Sequence, residues 1–347
     1  MENKEKMTVY DIAKKAGVSV ATVSKVMNHR YGVNTKTAEK VNAVLEKNGF
    51  TPRQNSSSNM VIGMLLPPYE GVMQTSYCRN LVDKAYEVLR LKGYSLQLVC
   101  HNTELVTESR KARNANFSNL SGLLVIASPP EYELAKKLLR EKNTLPCVVI
   151  GKIDSSETFP SKAVSGNVIV DDYTAGFQLA RVMLNNNHRT FCLVAAKQDD
   201  ICHRHRLQGM LDALRETNIP DENIQQIEYK DYLYRRGNQL AISIACSKTP
   251  PPDAFLFTDG LICTGFAMGC WNMNLKIPDC FSMAGFEDEN ELERLPLPIT
   301  SMRIPADQIA EVAARALLAQ IEHQPIPTEE PIQHILILRN SVKKKNG

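Results

Sequence analysis

Five polar residues between positions 171 and 287 each stand at the end of a short apolar run. Asp171 follows "VIV", with Asp172 beside it; Thr258 and Asp259 follow "AFLF"; Glu287 follows "MAGF". Arg206 lies in "RLQG", shortly after the run "CLVAA". An arginine and a set of carboxylates suit a clamp for vicinal hydroxyls, because one carboxylate accepts from two OH groups while the guanidinium donates in a fixed fork. The expected chemistry is binding rather than turnover. No nucleophile is paired with a base, and no GxSxG, P-loop or HExxH pattern occurs. "DDICHRH" is the one metal-like cluster: Asp199 and His203 would share a helical face, whereas His203 and His205, two apart, would diverge. A solvated loop and helix start is the expectation there, with no metal and no cofactor.

A second group has the chemistry of DNA contact. In "MTVYDIAKKAGVSVATVSKVMN", Thr8 caps a helix, with Asp11 three residues on in place of the usual Glu of a capping box. Ile12, Ala13 and Ala16 share one helical face. Gly17 makes a turn that needs positive φ or close packing. Ser19 caps a second helix whose Val23 and Val26 point back at the first, the spacing of a helix-turn-helix. Asn34 caps a third helix with the apolar stripe Val41, Val44 and Leu45, ended by Gly49. In this motif the second helix enters the major groove. Val20, Ala21 and Lys25 would then meet base edges, Lys25 at guanine O6/N7 and the two apolar residues at thymine methyls. Thr8, Tyr10, Ser19, Thr22, Ser24, Asn28, Asn34 and Thr37 would position the head on phosphates. A three-helix bundle that binds another protein is the alternative. Charge favours DNA: residues 1–60 hold ten Lys and Arg against five Asp and Glu, and the remainder 31 against 33.

The elements that must position the first group alternate in type. "VIGMLL", "SLQLV", "GLLVIA" and "CVVIG" read as strands, separated by helical segments such as "NLVDKAYEVLRLKG" and "YELAKKLLREK". After a loop around residues 152–166 the rhythm resumes with "TFCLVAA", "IQQIEY", "DAFLF" and "FSMAG" as strands. Continuous apolar runs suit strands covered by helices on both faces. Two such halves imply two doubly wound parallel sheets, which bind ligands at the carboxyl ends of their strands. The expected division is a helix-turn-helix domain over 1–51, a polar linker over 52–60, an effector-binding and dimerisation domain over 61–340, and a polar tail over 341–347. Within the body, one subdomain takes about 61–165 plus 300–324 and the other about 166–299 plus 325–340.

"TVYDIAKKAGVSVATVSKVMN" and the later "VNTKTAEKV" resemble the DNA-binding module of the lactose-repressor family of bacterial transcription regulators. The body resembles that family too, in "NNHRTFCLVA", "PITSMRIPADQIAEVAARALL" and "LRNSV". The resemblance implies an all-α head on a body like periplasmic binding proteins. It implies a repressor that binds a pseudo-palindromic DNA operator as a homodimer, controlled by a carbohydrate-like effector in the cleft. By position, Arg206 matches the family's effector-contacting arginine, and Tyr77 stands where the family has aromatic residues. Thr258 replaces a common Asn and Glu287 an Asp, which argues against the family's best-known sugars. Alternatives are a solute-binding protein of the same body fold, or a regulator whose cleft binds a partner protein or nothing.

The linker "RQNSSSNM" is rich in residues whose side chains compete for the backbone. It reads as a flexible tether with a span of roughly 16 Å, in which only Met60 could wedge into a minor groove. No run of ~18 apolar residues exists for a membrane span. No export signal is visible. The nine cysteines, scattered in apolar segments, suit reduced thiols in a cytoplasm.

Overall fold

The computed structural model describes residues 8–27, 33–47, 60–67, 73, 75–100, 119–126, 135–136, 140, 145–151, 164–196, 200–230, 234–287, 297–326 and 330–345. Its contacts divide the chain into two units, residues 1–60 and 61–347.

The first unit holds α1 (Val9–Ala16), α2 (Val20–Met27) and α3 (Thr35–Lys47). Thr8 starts α1 with a reciprocal capping box: its hydroxyl accepts from the Asp11 N–H, and the Asp11 carboxylate accepts from the Thr8 N–H at 2.8 Å. Gly17, at φ 66° and ψ 36°, turns the chain in the left-handed region that a side chain would resist. The Ser19 hydroxyl accepts from the Thr22 N–H at 3.1 Å, and Asn34 Oδ1 from the Thr37 N–H at 2.8 Å. Ile12, Ala13, Val23, Val26, Val41 and Leu45 close the three-helix core. Gly49, Asn28 and linker residues 52–59 lie outside the described residues; Met60 is exposed. Thr8→Ala should cost the head about 1 kcal/mol. Amide exchange in α1 of the full chain would show it, with no change in the body.

The second unit contains two sheets. The first runs β2 (Ser95–Cys100), β1 (Val61–Leu66), β3 (Leu120–Ile126), β4 (Cys147–Ile150) and β5 (Val164–Val168), all parallel. β5 starts within the stretch expected to be a loop. Its sequence, "VSGNV", has little β propensity, and it is held as an edge strand by β4. The second sheet runs β11 (Ile335–Ile337), β10 (Thr300–Arg303), β9 (Ser282–Phe286), β8 (Ala254–Phe257), β6 (Phe191–Ala196) and β7 (Ile224–Tyr229). It is parallel except at β11, which runs antiparallel to β10. Residues 300–303 therefore pair in the second sheet, not the first as expected. The helix after them, α9 (Ala306–Ile321), packs in the first core with α4 (Ser76–Leu91). The helix expected at "YELAKKLLREK" lies mostly outside the described residues.

Four helices flank the second sheet: α5 (Asp172–Asn185), α6 (Ile201–Glu216), α7 (Tyr234–Cys246) and α8 (Gly260–Asn272). α5 and α6 cross at two glycines. A Cβ on Gly176 would lie 2.0 Å from the Arg206 backbone oxygen, and one on Gly209 2.1 Å from that of Tyr173. This backbone-to-backbone approach brings Arg206, on the second turn of α6, against the start of α5.

Candidate functional site

Strand direction explains why distant residues meet. In the second sheet the parallel strands end at Ala196, Phe257 and Phe286, and the chain after them supplies Asp200, Thr258, Asp259 and Glu287. β11 runs the other way, so His334, just before its first residue, reaches the same edge. In the first sheet Tyr77 follows β1 at the start of α4.

Arg206 is the centre of the cluster and is buried. Its Nε donates to Asp172 Oδ1 at 2.8 Å, and its Nη1 donates to the Thr258 carbonyl at 2.9 Å and to Glu287 Oε1 at 3.0 Å. The guanidinium also lies 4.5 Å from the centre of the Phe286 ring. His334 Nε2 is 3.1 Å from the same Asp172 oxygen. Its ring stands edge-on to Phe286, at 5.4 Å between centroids. Burial would raise the Asp172 carboxyl, but Arg206 and His334 outweigh it and hold it well below the usual carboxylate range. Burial pushes the Tyr77 phenol well up; Cys78, Cys202 and Asp172 add to this and Arg206 opposes it. Tyr77 thus lies close enough to the charges at the second sheet's edge to feel them.

The other expected residues divide into two roles. Asp171, expected to contact effector, caps α5, accepting from the Thr174 N–H at 2.9 Å and from Gln333 at 3.2 Å. Its neighbour Asp172 is the one that turns to Arg206. Asp259 caps α8 through the Ile262 N–H at 2.8 Å, yet one of its oxygens also clusters with His203 and Glu287. Thr258 is fully buried, and its hydroxyl accepts from the Ala196 N–H at 3.0 Å, tying β8 to β6. Glu287 has φ 76°, a left-handed conformation unusual for a side-chain-bearing residue. His203 was expected in a solvated helix start; it is buried, with Nδ1 3.0 Å from the Thr258 carbonyl. Burial, and then Arg206, lower its affinity for a proton. Asp199 is outside the described residues. Sequence reasoning missed His334 as part of this cluster; its signal was a polar residue inside the apolar run "PIQHILIL".

In the head, Ala21, Ser24 and Lys25 are exposed on α2, while Val20 is half-buried against the core. Thr22 and Ser19 share a hydroxyl hydrogen bond of 2.8 Å. Tyr10 and Asn34 are exposed, and Thr37 is half-buried.

Residues 8–53 match the model of bacterial regulatory proteins of the lacI family, and residues 180–342 that of a periplasmic binding protein-like domain. The chain belongs to the lacI family. This lacI-family chain is 24% identical to catabolite control protein A of Priestia megaterium, over 97% of its own length and 99% of that protein. It is also 24% identical to the HTH-type transcriptional repressor PurR of Vibrio parahaemolyticus, over 98% and 99%. Among solved structures, a complex of the transcriptional regulator CelR with cellobiose covers 97% of the chain and 100% of its own, at TM-score 0.67 and 20% identity. The lac repressor dimer bound to operator and the anti-inducer ONPF covers 98% and 100%, at TM-score 0.67 and 18% identity. These structures share the fold of the lacI-family chain.

Proposed function

We propose that the chain is a cytoplasmic repressor that binds a pseudo-palindromic DNA operator as a homodimer. A small polar effector, a sugar or sugar derivative, controls it from the cleft between Tyr77 and the Arg206 cluster. The observation that carries this reading is the open face of α2, where Ala21 and Lys25 project from a helix-turn-helix whose own core is closed. One such head covers only a half-site, so two copies must act together. Exposed apolar residues on α4, α7 and α8, among them Tyr86, Ile242 and Trp271, offer surface that a second copy would cover. No described helix is long and apolar enough to cross a membrane. The relatives are regulators, and no enzymatic activity is proposed.

Selection of bound duplexes from a random library tests the reading. The recovered site should be two inverted half-sites. Lys25→Ala should cost about 1–3 kcal/mol of discrimination at one base pair in each half-site, while leaving binding to the other positions unchanged. Recovery of no preferred sequence, or a stoichiometry of one chain per site, would sink it.

A further inference from the structure

A cavity of about 300 Å³ opens at the amino ends of β6 and β7, the end of the second sheet opposite the Arg206 cluster. That volume is at the lower end of the range of small-molecule sites. Arg181 and Asn185 line it from the last turns of α5, Arg189 from the entry to β6, and Asn218 and Asn223 from the loop between α6 and β7. Leu184 and Ile219, both buried, supply its apolar side. The loop is fixed by its own hydrogen bonds. Asn218, at φ 56°, ends α6 in the left-handed region. Its N–H donates to the Arg215 carbonyl at 2.9 Å, and the Ile219 N–H to the Leu214 carbonyl at 3.1 Å. The Thr217 hydroxyl donates to the Leu214 carbonyl at 3.0 Å, and the Asn223 N–H to the Pro220 carbonyl at 2.9 Å. This part of the wall is therefore set before any ligand arrives.

The polar groups that line the cavity are largely uncommitted. Among the described residues, Arg181 has no hydrogen bond or ion pair, and the carboxamides of Asn185, Asn218 and Asn223 have none either. Arg189 uses one donor, Nη1, on the His188 carbonyl at 2.9 Å. No described carboxylate lines the cavity; Glu216, Asp221 and Glu222 stand beside it in sequence but not on its wall. Asp253, which accepts from the Arg189 and Thr190 N–H groups at 2.9 and 3.2 Å, is paired with Lys345. Two guanidiniums on one cavity without an acid make it electropositive. A cation would be repelled, and a neutral polyol would leave both charges without a counter-ion. A single carboxylate has two oxygens and fills one guanidinium fork, whereas a phosphate ester has three free oxygens and serves two. Each asparagine offers donors and an acceptor, which suits hydroxyls on the group that carries the phosphate. We infer that this cavity is a second ligand site, taking a small hydroxylated phosphate monoester, with Arg181 and Arg189 on the phosphate and the asparagines on its hydroxyls. The site stands apart from the cleft, and its ligand is not the effector proposed above.

Calorimetric titration and thermal shift of the full chain, at constant ionic strength, test the site. The probes are ribose 5-phosphate, glucose 6-phosphate and adenosine monophosphate, with ribose, glucose, adenosine, inorganic phosphate and citrate beside them. At least one monoester should bind, and its unphosphorylated counterpart at least about tenfold more weakly. Arg181→Gln and Arg189→Gln should each weaken that monoester about tenfold or more. Arg181 has no partner to lose, so Arg181→Gln without ligand should melt as the parent chain does. Arg181→Lys keeps the charge and should keep part of the affinity. A monoester that binds the parent and both glutamine variants alike is bound elsewhere, in the head or the cleft, and overturns the inference. So does tightest binding of citrate or of an unphosphorylated probe, and so does the absence of a response to any monoester. Inorganic phosphate bound as tightly as every monoester would leave an anion site and overturn the assignment of a hydroxylated ligand.

Discussion

Arg206→Ala should lower the stability of the body by about 3–5 kcal/mol, more than any other single substitution in the cluster. The side chain is 4% exposed and its partner Asp172 9%, so water cannot replace the lost charge. The variant would leave the buried Asp172 with His334 alone and take one donor each from the Thr258 carbonyl and Glu287. Denaturant titration of the full chain should report the loss in the body transition. Adding Asp172→Asn should restore part of it, because the second change removes the stranded charge. A double variant no more stable than Arg206→Ala would mean that the damage is lost packing around Phe286 and not an uncompensated ion.

The same pair sets a pH dependence that should weaken when Arg206 is removed. In the parent chain Asp172 is held below the usual carboxylate range, so the folded state binds its proton less readily than the unfolded one. Its stabilisation is complete above about pH 5 and is lost as pH falls through and below 4. Without Arg206, burial raises the carboxyl and only the His334 contact still lowers it, so the variant loses less stability as pH falls. The gap between the two proteins should narrow as pH falls below about 5, and a constant gap would assign the cost to something other than Asp172.

How far the sequence could be read depended on whether a feature is local. The head was legible almost residue by residue. Its caps, its turn glycine and its apolar spacing are short-range rules, and Thr8, Gly17, Ser19 and Asn34 follow them. The strands with continuous apolar runs were legible for the same reason. β5 and β10 were not, because "VSGNV" and "TSMR" take their form from their neighbours in the sheets. In the cleft, Arg206 came through the family resemblance, but its ion pair with Asp172 did not. Asp171 and Asp172 are chemically identical in sequence, and only the start of α5 separates them. The cap position turns its side chain back onto the Thr174 N–H, and the next residue faces α6. His334 is 162 residues from Asp172 and meets it only because β11 reverses direction. No local rule contains that information.

The crossing of α5 and α6 gives a prediction of similar size from the opposite cause. Gly176→Ala adds a single methyl, which would lie 2.0 Å from the Arg206 backbone oxygen. Its neighbour there is backbone, so no side chain can swing aside and the helices must part by about 1 Å. Overpacking of this kind costs about 1–3 kcal/mol and sometimes more. Parting the helices also carries Arg206 away from Asp172 and Glu287, so effector affinity should fall along with stability. Gln178→Ala, exposed on the same helix, should change stability by no more than about 0.5 kcal/mol. Gly209→Ala meets the Tyr173 oxygen at 2.1 Å and should behave as Gly176→Ala does. The double variant decides whether the two contacts are one crossing. A single separation of the helices relieves both clashes, so the combined cost should fall well short of the sum of the two. Strict additivity in denaturant titrations would mean that each glycine serves a separate contact, and that the position of Arg206 does not depend on how closely these helices approach.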